Sequence, residues 1–187
     1  MKPLPIVAAL TLALAAPAVL ADGDKIRARL TGYEEVPSVS TPAKGEFEAT
    51  ISRDEGLIEY TLSYSGLVGT VQQSHIHFGQ RAVNGSIVIW LCQTATTPAP
   101  AAVAGLTPFC PPSGTVTGQI TAANVIAAST TSQMITAGEL AEVIAAIRAH
   151  RAYVNVHATP LNPAGEIRGQ IGGNRRGGHD NDGGHGH

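Results

Sequence analysis

Phe47-Glu48-Ala49-Thr50-Ile51 alternates apolar and polar side chains, the two-residue period of a strand with one buried face. Arg53-Asp54-Glu55-Gly56 follows as a turn cluster, and Leu57 to Tyr64 returns as a second arm. Residues 45–64 are therefore predicted to form a hairpin. Upstream, Ile26-Arg27-Ala28-Arg29-Leu30 has the same period. Downstream, Ser74 to Phe78 and Ser86 to Leu91 flank Asn84-Gly85, a strong turn dipeptide. Gly114 to Ile120, Ala152 to His157 and Glu166 to Ile171 bring the strands to about eight. Asn162-Pro163-Ala164-Gly165 reads as the turn before the last of them.

One segment departs from the strand period. Leu140, Val143, Ile144 and Ile147 fall at i, i+3, i+4 and i+7, the apolar stripe of an amphipathic helix. Thr136-Ala137-Gly138-Glu139 has the form of a capping box ahead of it. Ala122–Ala128 reads as a further short helix. Many short strands with one inserted helix predict a mainly β fold, an antiparallel β-sandwich or a flattened Greek-key-like barrel.

Composition agrees. Of 187 residues, 43% are hydrophobic and 14% charged, so a core can form and wholesale disorder is excluded. Aromatics are only 4%, which leaves the core to Val, Ile, Leu and Ala. The 21 Gly and 12 Pro suit a turn-rich chain and not a helical bundle. A formal charge of −2 supplies no basic field, so nucleic acid is set aside as a partner.

Residues 1–21 read as a secretory signal peptide: Lys2, an apolar run from Ile6 to Leu14, Pro17, then small residues at the cleavage positions of Val19-Leu20-Ala21. The run is short of the roughly 20 residues a membrane-spanning helix needs. No transmembrane segment is expected after cleavage, and the mature domain, residues 22–172, should be periplasmic or secreted. Cys92 and Cys110 are the sole cysteines, and an oxidising compartment lets them bridge. Closing their proline-rich loop is worth about 3 kcal/mol in the chain-entropy model. Residues 173–187 are rich in Gly and His and offer nothing to bury, which predicts a disordered tail. His179, His185 and His187 there could gather divalent metal weakly.

The chemistry concentrates at three other histidines. In Ser74-His75-Ile76-His77-Phe78-Gly79, the two imidazoles project from one face of a strand, with Cα atoms roughly 6.5–7 Å apart, while Ile76 and Phe78 point to the core. In Tyr153-Val154-Asn155-Val156-His157, Val154 and Val156 point inward and Tyr153, Asn155 and His157 share the other face. If the two strands are neighbours, His75, His77 and His157 converge on a three-imidazole site suited to copper or zinc. The competing reading is metal-free: H-x-H also arises where imidazoles only hydrogen-bond across strands, and Asn155 alone could satisfy one ring. His150, near the helix C-terminus, reads as a dipole partner. Glu166 and Arg168 share a strand face and read as a solvated cross-strand ion pair. The functional alternative has Glu166 orienting a histidine and Arg168 steering an anion.

The chain resembles the CHRD domain, the module repeated in chordin and found singly in many exported bacterial proteins. The likeness rests on Leu30-Thr31-Gly32-Tyr33-Glu34-Glu35-Val36-Pro37, Ser74-His75-Ile76-His77-Phe78-Gly79 and Gly118-Gln119-Ile120. It ends in Tyr153-Val154-Asn155-Val156-His157 with Asn162 to Ile171, its most specific part. The resemblance covers about residues 26–172 and implies a β-rich extracytoplasmic domain with protein contact as its role. A fainter likeness, of His75-Ile76-His77-Phe78-Gly79 and Val156-His157, is to the copper-ligand strands of copper/zinc superoxide dismutase. The bridging histidine and the zinc loop of that family have no counterpart here.

Two function classes follow. The first, preferred, is a non-catalytic exported binding module for an unknown protein or extracellular partner, with the histidine face on its surface and copper or zinc held there. The alternative is a copper-dependent redox enzyme resembling superoxide dismutase.

Overall fold

The computed structural model describes residues 23–173. The expected signal peptide, residues 1–21, and the tail histidines His179, His185 and His187 lie outside the described residues.

The predicted strands form, with one addition. In chain order they are β1 (Asp24–Thr31), β2 (Lys44–Ile51), β3 (Ile58–Ser65), β4 (Thr70–Phe78), β5 (Ser86–Cys92), β6 (Gly114–Ile120), β7 (Ala152–Thr159), β8 (Asn162–Gln170) and the two-residue β9 (Gly172–Gly173). All belong to one antiparallel sheet of order β5-β4-β7-β8-β1-β2-β3-β6, with β9 beside β1. Gly173, expected at the start of the tail, is thus the last sheet residue among the described residues, opposite Ile26.

The sheet curls into a nearly closed barrel. The segment after β6 carries Val125 to a bridge with Ile89 on the β5 edge. Ile126 N–H donates to Val88 O at 2.9 Å, and the Tyr60 hydroxyl of β3 reaches Leu91 O at 2.6 Å. Cys92 and Cys110 form the expected disulfide, tying β5 to its following loop. That loop holds a single turn of helix, α1 (Ala101–Ala104).

Inside the barrel lie the inward residues of every strand, among them Leu30, Phe47, Ile58, Leu62, Ile76 and Ile89. Burial of each large aliphatic or aromatic group contributes roughly 1.5–3 kcal/mol. The amphipathic helix forms as α2 (Leu140–Arg148), and its stripe of Leu140, Val143, Ile144 and Ile147 is buried.

Three local expectations are corrected. Glu139 is itself the N-cap of α2. It accepts from the Thr136 N–H at 2.6 Å, but no side chain caps the helix in return. The reciprocal capping box stands instead at Thr121 and Asn124, ahead of a 3-10 turn (Ala122–Asn124) that replaces the longer helix expected over 122–128. Asn162-Pro163-Ala164-Gly165 is not a turn but the start of β8, with Asn162 opposite Ala158. Pro160 and Leu161 make the reversal.

Candidate metal centre

β4 and β7 are adjacent, with Gln73 opposite His157, His75 opposite Asn155 and His77 opposite Tyr153. Because side chains alternate across a strand, these residues share the sheet face directed away from the barrel core. Ile76, Val154 and Val156 occupy the inner face and are fully buried. The three imidazoles are therefore brought together. Ring centroids are 4.9 Å apart for His75–His157, 5.4 Å for His75–His77 and 6.4 Å for His77–His157.

The expectation that this face is part of the surface is overturned. His75 is fully buried, and His77 and His157 are nearly so. The cover comes from the neighbouring strand and from loops: Trp90 of β5 packs on His75 with ring centroids 4.3 Å apart. Residues 79–85 lie over His77, and Arg81 and Asn84 of that loop bond Glu34 and the Val36 carbonyl. β7 is buried along both faces, an arrangement more usual in parallel sheets than in antiparallel ones.

Hydrogen bonding fixes where the ring protons sit. A carbonyl can only accept, so His77 Nδ1–H donates to Gly85 O at 2.9 Å and His157 Nδ1–H donates to Pro163 O at 2.9 Å. Each of these rings thereby leaves its Nε2 unprotonated. His75 Nδ1 lies 3.2 Å from His157 Nε2 and donates to it in the metal-free state. The other nitrogen of His75, Nε2, is buried with no hydrogen-bond partner. His77 Nε2 lies 3.0 Å from the Asn155 side-chain oxygen, so another acceptor faces the ring's lone pair. A metal-free neutral His77 is satisfied there only by a half-turn of the carboxamide, which presents its NH₂ group.

Burial disfavours the charged rings. His75 is held well below its ordinary value, by burial and then by His157 and His77. His77 is pushed down to about 4, chiefly by burial, with the Arg168 charge adding to the depression. His157 is lowered by burial. Three neutral, electron-donating imidazoles are the protonation state that metal binding requires. One ligand atom from each ring lies within 4.8 Å of the others. Metal–nitrogen bonds near 2.0–2.1 Å place ligands roughly 3.4 Å apart, so side-chain rotation has about 1 Å to close.

Two neighbours expected on the surface are buried. Arg168 is stacked on Tyr153, its guanidinium carbon 3.3 Å from the ring centroid, and Tyr153 in turn stacks on His77 at 4.6 Å. The guanidinium also donates to Gln80 O and Val83 O, each at 3.0 Å. Glu166 accepts from the Thr41 hydroxyl at 2.6 Å and from Val68 N–H at 2.8 Å. The two are not the solvated ion pair expected, because the loops that roof this face supply their partners. Glu166 is bonded to the roof and not to a histidine. His150 follows α2 in a left-handed conformation, with Nδ1 3.4 Å from Ile171 O.

Sequence reasoning passes over Glu35. This residue is only 6% exposed, with Oε1 unpartnered and facing Gly165. A Cβ at position 165 would fall 2.3 Å from that oxygen and 3.0 Å from Asn155 Nδ2. Gly165 has φ +135°, so glycine both permits the backbone and leaves room for the acid. Burial raises Glu35 to about 7 against the lowering pull of Arg168. Its place in the Tyr33-Glu34-Glu35-Val36-Pro37 block is the one available signal. A separate open groove of about 660 Å³ crosses β1, β2, β3 and β6, lined by Lys25, Arg27, Glu48 and Glu59 among others, and contains no histidine.

Barrel and cluster together define a β domain with a roofed three-imidazole centre on its outer wall. The family model of the CHRD domain matches residues 26–171, and the chain belongs to that family. Membership supports a binding-module kind of role. No curated protein matches the chain, and no solved structure does. The faint likeness to copper/zinc superoxide dismutase gains no support from these comparisons.

Proposed function

We propose that the protein is an exported CHRD-domain binding module that holds a copper or zinc ion through His75, His77 and His157. The observation that carries this reading is the proton arrangement. Backbone carbonyls hold the Nδ1–H of His77 and His157, which leaves each Nε2 unprotonated, and the three rings offer ligand atoms within 4.8 Å of one another. Such outer hydrogen bonds fix the tautomer of metal-binding histidines. The chain's residues would bind the ion and limit the water that reaches it.

Export, to the periplasm or beyond the cell, is supported by the disulfide, since structural disulfides persist in oxidising compartments. Among the described residues no helix is long and apolar enough to cross a membrane. A redox enzyme would need its substrate to reach the ion, and all three rings are buried. Binding needs no such access, which favours it over the enzymatic alternative.

Elemental analysis of the purified full chain tests the reading. Copper or zinc near one per chain, lost in His77→Ala but retained when His179, His185 and His187 are all replaced by Ala, is the expected result. A metal-free protein whose melting temperature ignores added copper and zinc would remove the metal from the proposal.

A further inference from the structure

We propose that the three-histidine centre selects the monovalent cuprous ion over divalent zinc and cupric ions. This rests on the metal reading above and goes on to name the charge of the ion.

The first argument is the donor set. Among the described residues the group holds three imidazoles and no carboxylate or thiolate. Every donor is neutral, so the full charge of any ion remains in a buried site. The cost of burying charge rises with the square of that charge, so a divalent ion is penalised far more than a monovalent one.

The second argument is coordination number. Structural zinc takes four ligands, and three-ligand zinc sites complete the set with water. Cupric ion likewise prefers four or more donors in a tetragonal arrangement. His75 is fully buried and His77 and His157 nearly so, which restricts the water available for those positions. Zinc and cuprous ion are both d¹⁰ and free of ligand-field demands, so their charges decide: the divalent ion draws a fourth donor, and the monovalent one is content with three nitrogens.

The third argument is the nearest fixed charge. Arg168, Tyr153 and His77 form a continuous stack, guanidinium on phenol on imidazole. This puts a permanent positive charge on the order of 10 Å from the centre, where an effective dielectric of about 20 makes each additional unit of ion charge roughly 15-fold less favourable. Of the two carboxyls whose charge bears on Arg168, Glu34 is paired with Arg81 and Glu35 lies buried in the same loop. It offsets the guanidinium only when ionised, and in neither state does it supply a donor to the three-histidine group.

The test uses the intact chain under nitrogen. Cuprous ion, kept reduced with ascorbate, is titrated against a colorimetric cuprous chelator. Zinc and cupric ions are titrated in parallel against their own chelators at the same pH. The expected result is one cuprous ion per chain, bound at least roughly 15-fold more tightly than zinc. It should be abolished by His75→Ala and kept when the three tail histidines are Ala. X-ray absorption of the loaded protein should show a cuprous edge and nitrogen neighbours only, which keeps the assignment testable if His75→Ala fails to fold. Arg168→Gln should narrow the cuprous-to-zinc preference by roughly 15-fold.

Zinc or cupric ion bound at the histidines as tightly as cuprous ion would overturn the inference and leave the metal reading standing. Cuprous binding that survives His75→Ala in a folded protein would also overturn it. Failure of every ion to bind would remove both readings together.

Discussion

Replacing Glu35 with Gln isolates the energetic cost of a carboxyl buried beside the histidine cluster. An unfolded glutamate loses its proton near 4.5, whereas Glu35 in the barrel holds its proton to about 7. Between these values the native state binds the additional proton, so stability falls as pH rises. Glu35 therefore contributes fully below about 4.5, and its contribution is gone above about 7. The gap between the two values is worth about 3 kcal/mol at 1.36 kcal/mol per pH unit. A glutamine side chain at this position does not titrate and has no such term. Glu35→Gln should therefore gain about 3 kcal/mol relative to the parent between about pH 4 and about pH 8. Urea unfolding of both proteins across that range, followed by fluorescence of the sole tryptophan, Trp90, measures the difference. A difference constant to within about 1 kcal/mol, or one that changes in the opposite direction, would refute the argument that burial governs this acid.

Two further outcomes are expected. In the Glu35→Gln background, stability should fall as pH drops below 6.5, because the unfolded chain protonates all three histidines before the native one does. His77, which stays neutral down to about 4, accounts for about 3 kcal/mol of that loss. Denaturation midpoints that stay level from neutrality to about pH 4 would contradict the neutral assignment. Reduction of Cys92–Cys110 should cost about 3 kcal/mol, read as a lowered urea midpoint with dithiothreitol. A Cys92→Ala/Cys110→Ala double variant should show the same loss and no further response to reductant.

The barrel is legible wherever one strand face meets the core and the other meets water. The 45–64 hairpin shows this well. Phe47, Ala49 and Ile51 are buried while Glu46 and Glu48 are exposed, and its register runs unbroken from Lys44–Ser65 to Ile51–Ile58. The stripe of α2 is legible for the same reason. Its cap is not, since the chain satisfies Thr136 and Glu139 in one direction only. The histidine trio is readable from alternation once its two strands are taken as neighbours. Its burial is not, because alternation reports which residues share a face and not what covers that face. The cover is supplied by Trp90 of β5, which packs on His75, and by residues 32–43 and 79–85, whose loops carry no periodic signal. Glu166 and Arg168 look like surface charges for this reason, and Glu35 like a loop acid. The reading of 162–165 as a turn fails because Pro160 and Leu161 already reverse the chain, which frees Pro163 to sit in β8.

His75 and His157 are 82 residues apart along the chain. In an unfolded polypeptide only His75 and His77 are close, and two imidazoles make a poor chelate. The third ring arrives when the β4–β5 ribbon docks against the β7–β8 ribbon, a long-range pairing whose loop-closure cost exceeds that of either local hairpin. Assembly of the trio is thus conditional on the tertiary structure being in place. Ion capture at this point on the wall would follow maturation of the barrel, and an ion bound there would lock together two ribbons that are separately encoded.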